Sequence, residues 1–190
     1  MVPVEVFDVV FGRLNVVSIF DLRLADGDDA RPPLEPITQQ EVIDAQLEWG
    51  AGIVAIGKAK IEDGDYVQAA KDHIENLYGY DLSMVLFKPT LASEHQFRET
   101  FDAALSYFVS GNETYPEDKG FALAPYTKVR WENSGILTYT GTMAIAMGNY
   151  YFTTLDGNEV KVEYTFGYVK DVTGKLRIVA HKSALPYNPE

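Results

Sequence analysis

Residues 176–187 read L-R-I-V-A-H-K-S-A-L-P-Y and alternate in character as the residues of a β-strand do. The period of two predicts one shared face, on which two polar groups lie between apolar ones: Val179, His181, Ser183 and Leu185. Such a face is typical of a small ligand pocket, where a few placed donors and acceptors interrupt an apolar lining. It is equally typical of an ordinary sheet in which a histidine and a serine have their hydrogen bonds satisfied. The stretch alone leaves both interpretations open.

The segments before this strand predict the rest of an antiparallel sheet. Three runs of strand-forming or alternating residues come first: 127–140, 143–154 and 161–168. The first run is interrupted near Gly135, and the tight-turn pair Asp156-Gly157 joins the second run to the third. Gly148 and Gly167 lie inside strands, where glycine favours a bulge or a bend. The pattern therefore predicts a curved antiparallel meander.

Two helices are predicted at the start of the domain. Thr38 with Glu41 three residues later forms a capping box, and apolar residues follow it at helical spacing until near Gly64. Asp65 then caps a second helix, which stops at Gly79. Both signals are local, so the presence of these helices does not depend on the rest of the fold.

A short strand and a third helix are predicted between these helices and the sheet. The run M-V-L-F-K-P-T at 84–90 is rich in strand formers and leaves Thr90 just past the strand end. A helix is predicted from about Ser93, with Tyr107 at the edge of an apolar stripe made by Phe97, Phe101, Ala104, Leu105 and Phe108. Helices followed by a curved antiparallel sheet predict an α+β cone.

The composition describes a globular protein and excludes several partners. A chain of 190 residues with 46% hydrophobic content can bury a core in one domain. A formal net charge of -12 without a basic stripe predicts that neither nucleic acid nor an anionic membrane is a partner. The absence of cysteine removes disulfides, thiolate nucleophiles and cysteine metal sites.

Residues 1–36 are interpreted as an N-terminal extension and linker, and residues 37–190 as the domain. Charged and polar residues interrupt every apolar run in 1–24, so neither a membrane span nor a secretory signal is expected there. Residues 25–36 collect acids, glycine and proline, as linkers do. We expect a cytoplasmic location, with organellar and periplasmic locations left open.

Tests for known chemistries leave four candidate site residues. The chain has three histidines, none spaced like a metal motif, and no glycine-rich phosphate loop. A serine hydrolase is disfavoured because His181 and Ser183 project in parallel from one strand. What remains is a set that could hydrogen-bond a small oxyanion and move a proton: Thr90, Tyr107, His181 and Ser183. Each also fits a structural role, as a cap, a core aromatic or a backbone partner.

Seven runs, in this order, resemble the iota class of carbonic anhydrase. They are W-G-A-G-I-V-A-I-G-K-A, L-Y-G-Y-D, V-L-F-K-P-T, S-Y-F-V-S-G-N-E, A-I-A-M-G-N-Y-Y-F, V-K-V-E-Y-T-F-G-Y and L-R-I-V-A-H-K-S-A-L-P-Y. The resemblance covers about Ile37 to Tyr187. It implies the cystatin-like cone of nuclear transport factor two and of the calmodulin-dependent kinase association domain, with helices packed on a curved antiparallel sheet. It also implies a homodimer.

The resemblance implies reversible hydration of carbon dioxide to bicarbonate, without a metal or another cofactor. The family's bicarbonate-binding threonine corresponds to Thr90, its pocket tyrosine to Tyr107, and its C-terminal histidine and serine to His181 and Ser183. We expect Thr90 and Ser183 to hold bicarbonate oxygens and His181 to act as a direct or relayed base. Tyr107 is expected to bind the substrate as well, and to orient the water or complete the proton relay. The family's second histidine and serine are replaced here by Lys182 and Ala184, which are expected on the opposite strand face.

Two rival functions stay open at this point. The same cone serves small-molecule isomerases and dehydratases of the SnoaL type, which set an acid beside a pocket histidine, and the strands offer only Glu163 for that role. A non-catalytic association module is favoured if large side chains fill the cone, and Tyr164, Phe166 and Tyr168 are large enough to do so.

Overall fold

The computed structural model describes residues 34–189. The helices are α1 (Gln39–Ile61), α2 (Tyr66–Leu77) and α3 (Phe101–Val109). The strands are β1 (Leu86–Lys88), β2 (Lys128–Leu137), β3 (Met143–Thr153), β4 (Glu159–Lys170) and β5 (Leu176–Ala184), and they form a five-stranded sheet in the order β1-β5-β4-β3-β2. The α+β architecture of helices followed by a curved sheet is confirmed. The extension predicted for residues 1–36 lies, up to residue 33, outside the described residues.

The first two helices begin where their caps predict. The Thr38 hydroxyl accepts from the Glu41 amide at 3.2 Å, and the Glu41 carboxylate accepts from the Thr38 amide at 2.7 Å. The Asp65 carboxylate accepts from the Gln68 amide at 2.9 Å and opens α2. None of the helices in residues 34–189 combines the length and the apolar character needed to cross a bilayer.

Helix α3 begins later than the sequence predicts, at Phe101 instead of near Ser93. The Glu117 carboxylate accepts hydrogen bonds from three successive backbone amides, those of Ser93, Glu94 and His95. These bonds hold the segment as a loop, and Phe97 is 62% exposed instead of packing inward. Thr100 then caps the helix by accepting from the Ala103 amide. A distant carboxylate thus overrides the local helical pattern.

Strands β2 to β5 form the antiparallel meander that the turns predict. Strand β1 joins the other edge of β5 in parallel, with Phe87 opposite His181, a pairing that the sequence does not indicate. The register of β2 shifts between Asn133 and Gly135, as expected. Gly148 lies opposite this bulge, where a Cβ would come within 2.1 Å of the Glu132 carbonyl oxygen. The predicted glycines therefore do mark the places where the sheet bends.

A second bulge changes the face that β5 presents. Gly167 pairs with Ala180 and Tyr168 with Ile178, so Val179 is an extra residue without a partner on β4. Val179 is only half-buried, and Leu185, 55% exposed, lies beyond the strand end. The four-residue face predicted for this strand is therefore wrong at both ends, while its central pair, His181 and Ser183, is buried.

Candidate active site

A small hollow lies between the end of β1, α3 and the inner faces of β3 and β5. All four residues singled out in the sequence line it: Thr90, Tyr107, His181 and Ser183. The remaining lining is aromatic or apolar except for one further hydroxyl: Trp49, Phe87, Pro89, Phe108, Phe121 and Tyr150. Its volume is about 10 Å³, which is room for roughly one water molecule. Residues distant along the chain thus converge on a site with room for one water-sized group.

Strand pairing brings Thr90 to the hollow. Lys88, the last residue of β1, lies opposite Lys182 of β5, so Thr90 follows β1 beside the end of β5. Because neighbouring residues of a strand point to opposite faces, Lys182 is exposed while His181 and Ser183 point inward. The expected separation of Lys182 from the pocket pair is confirmed.

His181 is buried with both ring nitrogens occupied. Its Nδ1 lies 2.8 Å from the Tyr78 hydroxyl and its Nε2 lies 2.8 Å from the Ser183 hydroxyl. The imidazole is stacked between two rings, 4.5 Å from Phe87 and 3.9 Å from Phe166 between centroids. Burial, with a smaller effect from nearby His73, lowers the pKa of His181 well below its ordinary value. This geometry disfavours a direct-base role for His181, because a neutral, doubly hydrogen-bonded imidazole has no free nitrogen for a water.

Tyr150 of β3 is a site residue that sequence reasoning missed. Its hydroxyl makes a short hydrogen bond to the Ser183 hydroxyl and lies 3.4 Å from Nε2 of His181. Burial raises the pKa of Tyr150, so its hydroxyl stays protonated. A signal was present, since Tyr150 falls in phase with the buried residues Ala144, Ala146 and Phe152 of the same strand.

The sequence also does not indicate that Tyr78 and Trp49 contribute polar groups beside the hollow. The Trp49 indole nitrogen donates to the Tyr78 hydroxyl at 2.9 Å, and both side chains are almost fully buried. Tyr78 follows the last residue of α2, and its backbone forms a bridge with Ile178 of β5. The helical pattern predicts that this tyrosine packs inward, which is confirmed, but it carries no information on the partner of the hydroxyl.

Tyr107 separates the hollow from a larger outer cleft. Burial raises the pKa of Tyr107, an effect that the backbone amide of Leu91 partly offsets. Its ring is stacked on Phe121 at 5.6 Å, and the same two rings also line an outer cleft of about 450 Å³. Its lining also includes the charged residues Glu117, Asp118 and Lys119. The hollow and the outer cleft are therefore neighbours that share the Tyr107 and Phe121 rings.

A buried ion pair fixes the loop that follows Thr90. The Arg98 side chain is fully buried and donates to the Asp118 carboxylate at 2.8 Å. The other Asp118 oxygen accepts from the Ser106 hydroxyl at 2.6 Å, one residue before Tyr107. The loop after Thr90 and the helix that carries Tyr107 are therefore held together by one hydrogen-bonded cluster.

The donor set around the hollow does not match a metal centre. In residues 34–189 no three histidine or acidic side chains converge as metal ligands would. Of the other histidines, His73 is buried and His95 is exposed, and neither lines the hollow. The site instead offers hydroxyl groups and one neutral imidazole, which can hydrogen-bond a small, oxygen-rich ligand.

Comparisons with known proteins agree with this donor set. Residues 40–185 match the family described as metal-independent carbonic anhydrase. The chain is 44% identical over 159 residues to a protein of Nostoc sp. named metal-independent carbonic anhydrase, covering 80% of this chain and 75% of that protein. Among solved structures, an iota-carbonic anhydrase from a cyanobacterium, complexed with bicarbonate, superposes with a TM-score of 0.80 at 41% identity, covering 84% of this chain and 99% of the other.

A more distant structure supports the fold alone. The putative calcium/calmodulin-dependent protein kinase II association domain from Xanthomonas campestris superposes with a TM-score of 0.53 at 21% identity. The superposition covers 84% of this chain and 98% of that domain. The cone architecture is thus shared with a putative association domain.

Proposed function

The chain belongs to the metal-independent carbonic anhydrase family, and from this premise we propose that it hydrates carbon dioxide reversibly to bicarbonate in the hollow beside β5. The observation that carries the proposal is the convergence of Thr90, Tyr107, His181 and Ser183 on one hollow with an apolar lining. Hydroxyl donors in a dry site hold a developing anion more strongly than the same groups do in water.

We assign each residue a part in the reaction. Thr90 and Ser183 hydrogen-bond the oxygens on which negative charge develops, and Tyr107 orients the attacking water. His181 keeps Ser183 and Tyr150 in place through its hydrogen bond to Ser183. The water oxygen forms a bond to carbon, one C=O electron pair moves to oxygen, and the proton of the water leaves to solvent through the outer cleft.

The hollow has room for one oxygen of the substrate but not for the whole product. A volume of about 10 Å³ has room for one water-sized group. One oxygen of carbon dioxide therefore occupies the hollow beside Thr90 and Ser183, and the carbon and the attacking water lie toward the outer cleft, against Tyr107 and Phe121. The bicarbonate that forms then has one oxygen in the hollow and the others toward the cleft of about 450 Å³. This arrangement gives the product a direct way out.

Stopped-flow hydration of carbon dioxide tests the proposal. We expect activity that survives exhaustive treatment with a chelator, and a fall of roughly 10- to 100-fold in Thr90→Val, which loses one donor to the anion. Thr165→Val is the matched control, because Thr165 lies on the outer face of β4 opposite Lys182. Activity that disappears with chelator and returns with zinc would contradict the metal-independent mechanism, and a fully active Thr90→Val protein would contradict the role of Thr90.

We further propose a homodimer formed across the outer face of the sheet. Apolar side chains alternate along β3 on this face, where Met143, Ile145 and Met147 are each more than 40% exposed, and Leu137 lies opposite Ile145 on β2. A contiguous apolar face of this kind is typical of a protein interface. Each hollow opens on the helical side of its own sheet, so the dimer leaves both sites free.

Ile145→Glu should turn the dimer into a monomer, because it would bury a carboxylate at the centre of this interface. Sedimentation equilibrium would then report a mass close to 21.2 kDa for the variant and twice that for the wild type. Leu155→Glu is the control, since Leu155 is 67% exposed in the turn after β3. A monomeric wild type would refute the dimer.

The rival functions find less support. A SnoaL-type isomerase needs an acid beside the pocket histidine, whereas the partners of His181 are hydroxyls and Glu163 is exposed. The association module is favoured by the buried rings of Tyr164, Phe166 and Tyr168, which fill part of the cone, but these rings leave the hollow open. We propose residues 37–190 as the catalytic domain, and the cytoplasmic location stays a prediction.

A further inference from the structure

A continuous chain of hydrogen bonds runs behind the hollow. It passes from the Trp49 indole to the Tyr78 hydroxyl, then to both nitrogens of His181, the Ser183 hydroxyl and the Tyr150 hydroxyl. All five side chains are buried. Because these side chains are buried, each of their polar hydrogens can be assigned to a bond. The assignment shows whether this hydrogen-bond network offers a donor or an acceptor to a ligand in the hollow.

At the inner end, the direction of the chain is fixed by Trp49. An indole nitrogen can only donate, so the Tyr78 oxygen accepts from it. The Tyr78 hydrogen then has one acceptor among the described residues, Nδ1 of His181 at 2.8 Å. If Nδ1 carried a hydrogen instead, it would donate to Tyr78 and leave the buried Tyr78 hydrogen without a partner, which is unfavourable. The neutral imidazole therefore carries its hydrogen on Nε2.

At the end of the hydrogen-bond network that faces the hollow, this tautomer leaves one hydroxyl hydrogen without an acceptor in the protein. The Nε2 hydrogen of His181 is donated to the Ser183 oxygen at 2.8 Å. The short bond between Ser183 and Tyr150 uses one of their two hydroxyl hydrogens, whichever group donates. The second hydroxyl hydrogen is free for the hollow, which both residues line. With the opposite tautomer, Ser183 would donate to Nε2 and Tyr150 to Ser183, and no hydrogen would be left.

We propose that Tyr78, oriented by Trp49, is a positioning residue that fixes the tautomer of His181 and so makes the Ser183–Tyr150 pair a hydrogen donor to the bound anion. The inference rests on the proposed carbon dioxide hydration and adds to it a cause for the donor character of the site. Tyr150 becomes a further catalytic residue, since its hydroxyl or that of Ser183 touches the developing oxyanion. A donor is what that charge requires.

The tautomer can be measured on the unmodified protein. In a sample labelled with ¹⁵N at histidine, long-range proton-nitrogen correlation spectra distinguish a protonated ring nitrogen from an unprotonated one. With the His181 signals assigned through its side-chain carbons, we expect Nε2 protonated and Nδ1 unprotonated at neutral pH. A protonated Nδ1 would overturn the proposal, and this result needs neither a variant nor an assay of activity.

Tyr78→Phe tests whether the tautomer of His181 affects catalysis. The ring stays in place, because the backbone after it is held by the hydrogen bond from the Gly79 amide to the Ile178 carbonyl. We expect a mixture of His181 tautomers, a fall in kcat for hydration of roughly 10- to 100-fold, and a smaller change in KM, because the lost donor acts mainly on the transition state. Tyr80→Phe is the matched control: Tyr80 is stacked on Tyr78, and its hydroxyl donates to the Arg98 carbonyl.

The outcomes separate the two proposals. Wild-type kcat in Tyr78→Phe, or an equal loss in Tyr80→Phe, would overturn the positioning role while the proposed function stands. A wild-type protein with the Nε2 tautomer and no hydration activity would overturn the proposed function and leave the direction of the hydrogen bonds correct. Loss of kcat together with a changed tautomer in Tyr78→Phe alone would support both.

Discussion

Ser183→Ala is expected to lower kcat for carbon dioxide hydration by about 100- to 1000-fold, the loss typical of removing a donor to a developing oxyanion. The Ser183 hydroxyl links His181 to Tyr150 and lines the hollow itself. Its removal therefore takes away one donor and also frees Tyr150 to rotate. Stopped-flow kinetics measure the loss, and the KM for carbon dioxide should change much less.

The fold should survive this substitution. Alanine leaves a small gap and removes the Ser183 oxygen that accepts the Nε2 hydrogen of His181, which together cost about 1–3 kcal/mol of unfolding free energy. Circular dichroism and urea unfolding separate this loss from the kinetic effect. Ser134→Ala, at the exposed bulge residue of β2, is the control. A folded Ser183→Ala protein with undiminished kcat would remove Ser183 from the mechanism.

Mild acid is expected to lower the free energy of unfolding. His73 and His181 are buried as neutral rings, and burial lowers the pKa of His73 to about 3 and that of His181 well below its ordinary value. In the unfolded chain both titrate near 6.5, so below that pH the unfolded state binds more protons than the folded state. The contribution of these two histidines to the free energy of unfolding is fully present above about pH 6.5. It is lost as the pH falls toward the pKa values of the folded state.

The expected size is about 2 kcal/mol of unfolding free energy for each histidine between pH 8 and pH 5. In the unfolded chain carboxyl groups titrate mainly at about pH 4, so their contribution to the difference between pH 8 and pH 5 is small beside that of the histidines. Urea unfolding at the two pH values measures the difference. A stability that does not change from pH 8 to pH 5 would show that these rings are protonated or exposed.

His73→Leu should remove about half of this dependence. Nε2 of His73 is buried without a hydrogen-bond partner among the described residues, so an apolar side chain of similar size leaves no donor or acceptor unpaired there. His95→Gln is the control, because it replaces an exposed histidine and leaves both buried rings in place. An unaltered slope in His73→Leu would assign the acid sensitivity to other groups.

Local patterns predicted the parts of the fold that local interactions determine. The Thr38 and Asp65 caps, the turn at Asp156-Gly157 and the bending glycines are set by residues close in sequence, and each is found in the structure. The start of α3 was wrong because Glu117, more than twenty positions away, satisfies the amides that a helix would have used.

The candidate site, like the fold, was predictable only in part. Strand periodicity placed His181 and Ser183 on one inner face. The strand end and the apolar stripe of the third helix singled out Thr90 and Tyr107, and the family resemblance gave all four residues a role. Their hydrogen-bond partners were not predictable, since Tyr78 and Tyr150 reach His181 and Ser183 only through tertiary packing. A sequence pattern gives the direction in which a side chain points, but not which atom it meets.

The parallel pairing of β1 with β5 has a consequence for engineering. Its three residue pairs join Leu86–Lys88 to Ala180–Lys182, so α3 and strands β2 to β4 all lie in the loop that this contact closes. Closing so long a loop is entropically unfavourable and is compensated only once the intervening chain has folded. The chemistry therefore cannot be excised as a peptide or transplanted onto a hairpin, and a minimal catalyst of this type has to retain the entire topology.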